Sequence, residues 1–239
     1  MLDEDRRPVA TVLAALPVFP LPNAVLLPGM ILPLNVFEPR YLELCDHVLQ
    51  NGGHVGIPLL RPGFEQDYEG RPELEPVLGL GRFLSHQRLP DGRRFIRVEG
   101  LGRARLLHEL PPRAKFRELS VEVLTESRPN DVHQLEVLKA QLERIAGTLD
   151  GDDEQMVHSV LRIGDPRIML YAITAIMPTL GFLAHGDRVS NGRPAPLELQ
   201  QRCLAAEHAD ARVEALVECA AGICDELGDS DRFPRSMLN

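Results

Sequence analysis

Several histidine, cysteine and lysine chemistries are conceivable in this chain, and the spacing excludes most of them. Cys45 and His47 are the nearest thiol and imidazole. They stand two apart in a segment with helical periodicity, so they point to different faces and cannot form a nucleophile–base pair. Lysine occurs only as Lys115 and Lys139. Neither lies in the G-x-x-x-x-G-K-[ST] pattern that cradles a nucleotide phosphate. A Ser–Lys dyad would have to use one of them, yet Lys115 sits in a basic stretch and Lys139 among the leucines of a helix. Neither H-E-x-x-H nor G-x-S-x-G is present. Cys219 and Cys224 have the wrong spacing for the common zinc sites. "DGDDE" at Asp150–Glu154 lacks the ligand spacing of a calcium loop and reads as a helix cap. "GLGRF" at Gly79–Phe83 lacks the third glycine of a dinucleotide fingerprint, so its glycines are expected at bulges or close packing. No catalytic constellation, cofactor site or metal site is expected.

Charge offers one further chemistry. Between Arg82 and Arg117 there are ten basic residues against Asp91, Glu99 and Glu109. Such a stretch could meet phosphates, which makes an RNA-binding module using residues 82–117 the alternative function. Only Phe83, Phe95 and Phe116 accompany it, which is no stacking ladder. The favoured reading is that these arginines flank a hairpin and pair with Glu99, Glu109 and an acidic second half. Residues 1–128 carry 16 basic and 17 acidic side chains; residues 129–239 carry 10 and 18. The acidic half argues against general nucleic-acid affinity.

The elements that must hold any site are legible from pattern. The 239 residues are 44% hydrophobic and 26% charged, the balance of a globular protein with a real core. No apolar run is read as long enough to span a membrane, and the N-terminus lacks the basic start and apolar run of a secretory signal, so a cytoplasmic location is expected. The four cysteines are read as reduced, mostly buried thiols.

"LPVFPLPNAVLLPGMILPLNVFEPRYLEL", Leu16–Leu44, is apolar yet crossed by six prolines from Pro17 to Pro39. It cannot be helical before Pro39, and reads as short extended pieces with prolines at edges and corners. A helix is predicted from Pro39, with Gly52 just past its end. Strands are predicted at "HVGIPLL", "VLGLGRFLSHQRL", "RFIRVEG", "GRARLLHEL" and "ELSVEVL", with Asp91-Gly92 turning a hairpin. Residues 1–126 thus read as a β-rich domain with one inserted helix. "SRPND", Ser127–Asp131, marks the boundary. Residues 127–239 read as a helical bundle, with Leu135, Leu138, Leu142, Ile145 and Leu149 at helical spacing, a long loop from Gly181 to Pro196 and a frayed tail.

The stretch Leu16–Leu44 closely resembles the amino-terminal, substrate-recognition domain of the ATP-dependent Lon protease family. "LGLGRF" and "DGRRFIRVEGLGRARLLHEL" resemble its central strand and its D-G-R hairpin followed by E-G-x-x-R. "GDPRIML" and "LQQRCLAAEHADARVEAL" resemble its helical half. The resemblance covers most of residues 16–227. It implies an α+β fold, a PUA-like pseudo-barrel followed by a helical bundle. It also implies the recognition part only, without the ATPase and protease parts of full-length Lon, and hence no enzyme. The loop Gly181–Pro196 is longer than the family usually has there. The expected function is non-catalytic binding of exposed apolar segments of unfolded or client proteins, with a protease or chaperone as further partner and neither membrane nor nucleic acid. The expected peptide site is Asn35, Phe37, Glu38, Arg40 and Tyr41, where strand enters helix. Phe37 and Tyr41 would be half-exposed anchors, and Glu38 and Arg40 would set polarity at the rim.

Overall fold

The computed structural model describes residues 13–68, 70–185 and 196–230. The chain forms two compact units, Met1–Thr125 and Glu126–Asn239. The class is α+β.

In the first unit, β1 (Leu16–Val18), β2 (Ile31–Val36), α1 (Pro39–Gln50), β3 (His54–Ile57), β4 (Val77–Arg88), β5 (Arg94–Glu109) and β6 (Arg117–Leu124) follow in order. The sheet order is β2-β5-β4-β3-β1-β6, and β5 also pairs with β6. Five strands therefore close into a ring, and among the described residues β2 is left as an edge strand on the first half of β5. The runs "RFIRVEG" and "GRARLLHEL", read separately from sequence, form one strand of 16 residues. Its length is what closes the barrel: its first half pairs with β2 and its second half with β6, while β4 follows it through most of its course.

Pro33 lies in the middle of β2, opposite Arg97. A proline cannot donate to a ladder, and an edge strand is where sheets tolerate it. Upstream, Leu26 and Leu27 are buried, and their backbone crosses β4 and β5. The crossing needs glycine beneath it. A β-carbon on Gly79 would collide with the Leu26 carbonyl, and one on Gly100 with the Leu27 carbonyl. Gly29 donates to the Gly100 carbonyl at 2.8 Å, and Gly100 donates to the Met30 carbonyl at 2.8 Å, fastening the strap. The glycines of "LGLG" are thus close-packing positions, and the ladder shifts register between Leu80 and Gly81.

Helix α1 begins with Pro39 in its first turn. Its buried face is Tyr41, Leu44, Cys45 and Val48, a run at i, i+3, i+4 and i+7. That face packs with Val36, Ile96 and Val98 of the sheet. Leu42 is partly buried against the same cluster. Leu49 is instead exposed, because the stripe that meets the sheet starts at Tyr41.

The second unit holds α2 (Val132–Ala146), α3 (Gly151–Leu161), α4 (Pro166–His185), α5 (Pro196–Ala205) and α6 (Ala209–Ser230). Leu138, Leu142, Ile145, Met169, Ile173, Met177, Val213, Leu216 and Ile223 are among its core. Helix α4 runs through Pro178 to His185, so the segment expected as loop from Gly181 is helical to His185. Met177 and Leu180, buried on either side of the proline, hold that turn in the core. The rest of the expected loop, residues 186–195, lies outside the described residues. By length and composition Pro166–Leu183 could cross a membrane, contrary to the sequence reading. In this fold it is a core helix, with Leu170, Tyr171, Ile173 and Leu180 inaccessible to solvent.

The segment that opens this unit is tied to the start of α6. Asp210 accepts from the backbone N–H of Asn130 (2.7 Å) and Asp131 (3.0 Å), and from Asn130 Nδ2 (3.0 Å). Ser127 Oγ accepts from the Ala209 N–H at 3.0 Å. Asp131 caps α2 by accepting from the Gln134 N–H at 2.9 Å. Arg212 is wholly buried. Its Nε donates to the Cys203 carbonyl at 2.9 Å, and its guanidinium lies 4.1 Å from the Tyr171 ring centroid. Tyr171 donates to Glu126 at 2.9 Å, and Glu126 stands 3.5 Å from Arg212.

Candidate functional site

Strand β2 alternates. Leu32 and Leu34 turn inward against the core, while Ile31, Pro33 and Asn35 face solvent. The outward row continues into β5 through the register, which sets Asn35 opposite Phe95, Pro33 opposite Arg97 and Ile31 opposite Glu99. Ile31 is 45% exposed, Phe95 40% and Phe37, just past the end of β2, 64%. An apolar row with polar neighbours therefore lines the open edge of the sheet.

The five residues expected from sequence divide at this point. Asn35 and Phe37 lie on the exposed row. Glu38 and Arg40 pair with each other: Arg40 Nε donates to Glu38 at 2.9 Å, and a second guanidinium nitrogen lies 2.8 Å away. Tyr68 fastens both, donating its hydroxyl to Glu38 at 3.1 Å and accepting from Arg40 at its carbonyl at 3.2 Å. The Arg40 guanidinium sits between two rings, 4.7 Å from Tyr41 and 5.1 Å from Tyr68. Tyr41 departs from the expectation. It is 6% exposed and stacks on Phe19 with centroids 4.0 Å apart. Burial pushes its hydroxyl up to about 12. Tyr41 is core because the helix start that carries it is pulled onto the sheet by Leu44 and Cys45. It is not a half-exposed anchor.

A cleft of about 340 Å³ opens beside this helix start, lined by Pro20, Arg40, Tyr41, Gly70, Arg71, Pro112, Ala114, Lys115, Phe116 and Arg117. Glu109 holds two of the cations. Arg117 grips it through two nitrogens at 2.8 and 2.7 Å, and Arg71 reaches the same carboxylate at 2.8 Å. Arg117 also donates to the Pro72 carbonyl at 2.8 Å. The sequence could not show this cleft, because its residues come from four separate segments.

The arginine-rich hairpin is dispersed rather than gathered. Arg94 pairs with Asp46 at 2.5 Å, Arg93 with Asp91 at 2.6 Å and Lys115 with Glu43 at 3.6 Å. Arg103 is buried, 2% exposed, and reaches the Thr125 carbonyl. Arg82 lies opposite Glu99, and Arg105 opposite Glu122, in the sheet register. The pairing is local, with acidic residues of the same unit.

The groups with the chemistry of nucleophiles and bases are placed against such a role. Cys45 is buried, and burial pushes its thiol up to about 11, away from the reactive thiolate. Its neighbour His47 lies instead against Phe116, with ring centroids 5.0 Å apart. Burial likewise raises Cys203 and Cys224. Lys139 pairs with Glu136 at 2.8 Å. Among the described residues, no group of three His, Cys, Asp or Glu side chains could hold a metal ion.

Known proteins show where this architecture recurs. The N-terminal domain of a Mycobacterium avium complex Lon protease has a similar fold, with a TM-score of 0.60 at 14% identity, covering 87% of this chain and 98% of that one. A Lon protease of Chloroherpeton thalassium is 26% identical over 205 residues, 85% of this chain and 22% of the relative. One from Anaeromyxobacter dehalogenans is 26% identical over 133 residues, 56% of this chain and 16% of the relative. The chain thus spans about a fifth of the length of such relatives. The profile of the ATP-dependent protease La (LON) substrate-binding domain matches residues 15–181, which takes in the whole barrel, the strap over Gly79 and most of α4. With that match over most of its length, the chain belongs to the LON substrate-binding domain family.

Proposed function

We propose that this chain is a non-catalytic recognition module that binds extended apolar segments of client proteins along the open edge of β2. The observation that carries the reading is the exposed row of Ile31 on the edge strand β2, Phe95 beside it on β5 and Phe37 just past the end of β2, in a family of substrate-binding domains. An open sheet edge takes an additional strand through its unpaired backbone groups, and apolar side chains beside it add contact and specificity. Asn35 sits within the row and supplies a polar contact to the guest backbone. Pro33 removes one donor from β2, which limits continuous ladder formation and leaves side-chain contacts to set affinity. In apolar recognition Glu38 and Arg40 act indirectly, fixing the helix start that follows Phe37, and Tyr41 has no direct part in it.

The non-catalytic reading is supported by the buried Cys45 thiol, by Lys115 and Lys139 in surface ion pairs, and by a sequence without the phosphate-cradling pattern. The test is binding of a fluorescent, reduced and unfolded protein, followed by anisotropy. Phe37→Ala and Ile31→Ala should each weaken it, with the melting temperature little changed. Equal binding by wild type and the double variant would sink the proposal.

A further inference from the structure

We infer that the cleft beside the start of α1 is an oxyanion site, taking a carboxylate or phosphate carried on a bound peptide. This deepens the reading proposed above and rests on it. Four cations line the cleft: Arg40, Arg71, Lys115 and Arg117. The acidic side chains that pair with them are three, Glu38, Glu43 and Glu109. Asp67 also stands near, accepting from the Arg71 backbone N–H at 3.2 Å. The pairing is uneven. Glu109 serves two guanidiniums at once, and a single carboxylate cannot neutralise both. Lys115 and Glu43 are 69% and 40% exposed and 3.6 Å apart, a solvated contact that holds the lysine weakly.

Geometry adds to charge. Arg117 is fixed by Glu109 and by the Pro72 carbonyl, and Arg40 by Glu38, the Tyr68 carbonyl and two aromatic rings. Guanidiniums held in this way lose little further freedom on binding, and their planar forks suit two-oxygen groups. Pro20, Tyr41, Pro112, Ala114 and Phe116 supply apolar walls, so an anion with an apolar neighbour fits better than a free ion. Arginine clusters are a recurring means of reading acidic or phosphorylated motifs. In a chain of net charge −9, a cleft lined by Arg40, Arg71, Lys115 and Arg117 is also where an acidic segment would be drawn.

The test uses the full chain and one labelled apolar peptide in three forms, with Glu, phosphoserine or Gln at a single position near its apolar residues. At low ionic strength the Glu or phosphoserine form should bind about tenfold more tightly than the Gln form, the size of one charge-assisted contact. The difference should shrink as salt rises. Arg71→Gln with Lys115→Gln, both partly exposed positions whose melting curves are checked first, should bring the three forms to within about threefold. Phe37→Ala should weaken all three alike. A preference for phosphoserine over Glu assigns the site to phosphate; equal or better binding of Glu assigns it to carboxylate. Equal binding of all three by wild type overturns the oxyanion site while leaving apolar recognition standing. Failure of every form to bind overturns apolar recognition itself.

Discussion

The carbonyl of Leu26 occupies the space that a β-carbon on Gly79 would need. Leu26 and Leu27 are the strap of the barrel, and Gly79 and Gly100 are the floor on which their backbone rests. Gly79→Ala should therefore destabilise the first unit by at least about 1–3 kcal/mol, the usual range for forcing atoms into a packed core. Gly164→Ala is the control, since nothing lies within 4 Å of a β-carbon there. It should stay within about 0.5 kcal/mol of wild type. Urea unfolding of both variants decides the matter, and equal stabilities would remove the strap from the account.

Asp210 ties the first residues of the second unit to the start of α6 through three N–H groups. Asp210→Ala removes bonds whose exposed donors water can satisfy instead, and should cost about 0.5–1.5 kcal/mol. The same contact should protect the chain at Ser127–Asp131 from proteases. Limited proteolysis of wild type should spare this connector, and the variant should be cut there faster.

Acid should weaken the second unit through two carboxylates. Hydrogen bonds from Arg167 hold Asp165 at about 2, below the ordinary 3.8, and backbone N–H donors hold Asp210 below it too. A carboxyl depressed in the folded state stabilises above its unfolded value and loses that contribution as pH falls through the folded one. Melting temperature should therefore drop from about pH 4 to about pH 2, and the drop should be shallower in Asp165→Asn. Identical acid profiles would show that this contact contributes nothing measurable.

Much of this architecture is legible in the sequence, and the misses share a cause. Proline spacing and the "DGRR" turn reveal the strands, and leucine spacing reveals α2. The merging of two runs into β5 is not legible, because its bend depends on partners distant in sequence. Phe37 follows from the alternation of β2, whose parity also points to Ile31. Tyr41 looked amphipathic, and only the docking of Leu44 and Cys45 decides which side of α1 is inside. The cleft draws on Pro20, Arg40, Arg71 and Arg117, which no local pattern connects. The burial of Arg212 is equally silent, since an arginine in a helix ordinarily faces water.

Arg212 gives a sharper test of the second unit's core. It is wholly buried, with Tyr171 against its guanidinium and Glu126 at 3.5 Å. Arg212→Ala should cost about 3–5 kcal/mol, because it opens a cavity and takes a buried cation from beside Glu126, which keeps the Tyr171 hydroxyl. Arg212→Met keeps most of the volume, so it should be milder, and Arg212→Met with Glu126→Gln milder still. If the alanine and methionine variants melt together, volume is not what the arginine supplies.

Phe37 and Tyr41 finally separate recognition from folding. Tyr41, 6% exposed and stacked on Phe19, should lose about 3–5 kcal/mol of stability on truncation to alanine, as buried aromatic deletions do. Phe37, 64% exposed, should lose little stability. Binding should show the reverse order. Phe37→Ala should weaken association with an unfolded client by about 1–3 kcal/mol, the loss typical of an aromatic contact at an interface. Tyr41→Ala, measured per folded molecule at a temperature well below its melt, should leave binding of an uncharged apolar segment nearly unchanged, because Tyr41 lines only the cleft that takes the anion. Arg97→Glu tests the sheet face between them and RNA. It stands opposite Pro33 on the exposed row, and reversing its charge should alter client binding modestly. A collapse of nucleic-acid retention in that variant, with client binding intact, would instead favour a phosphate-binding hairpin.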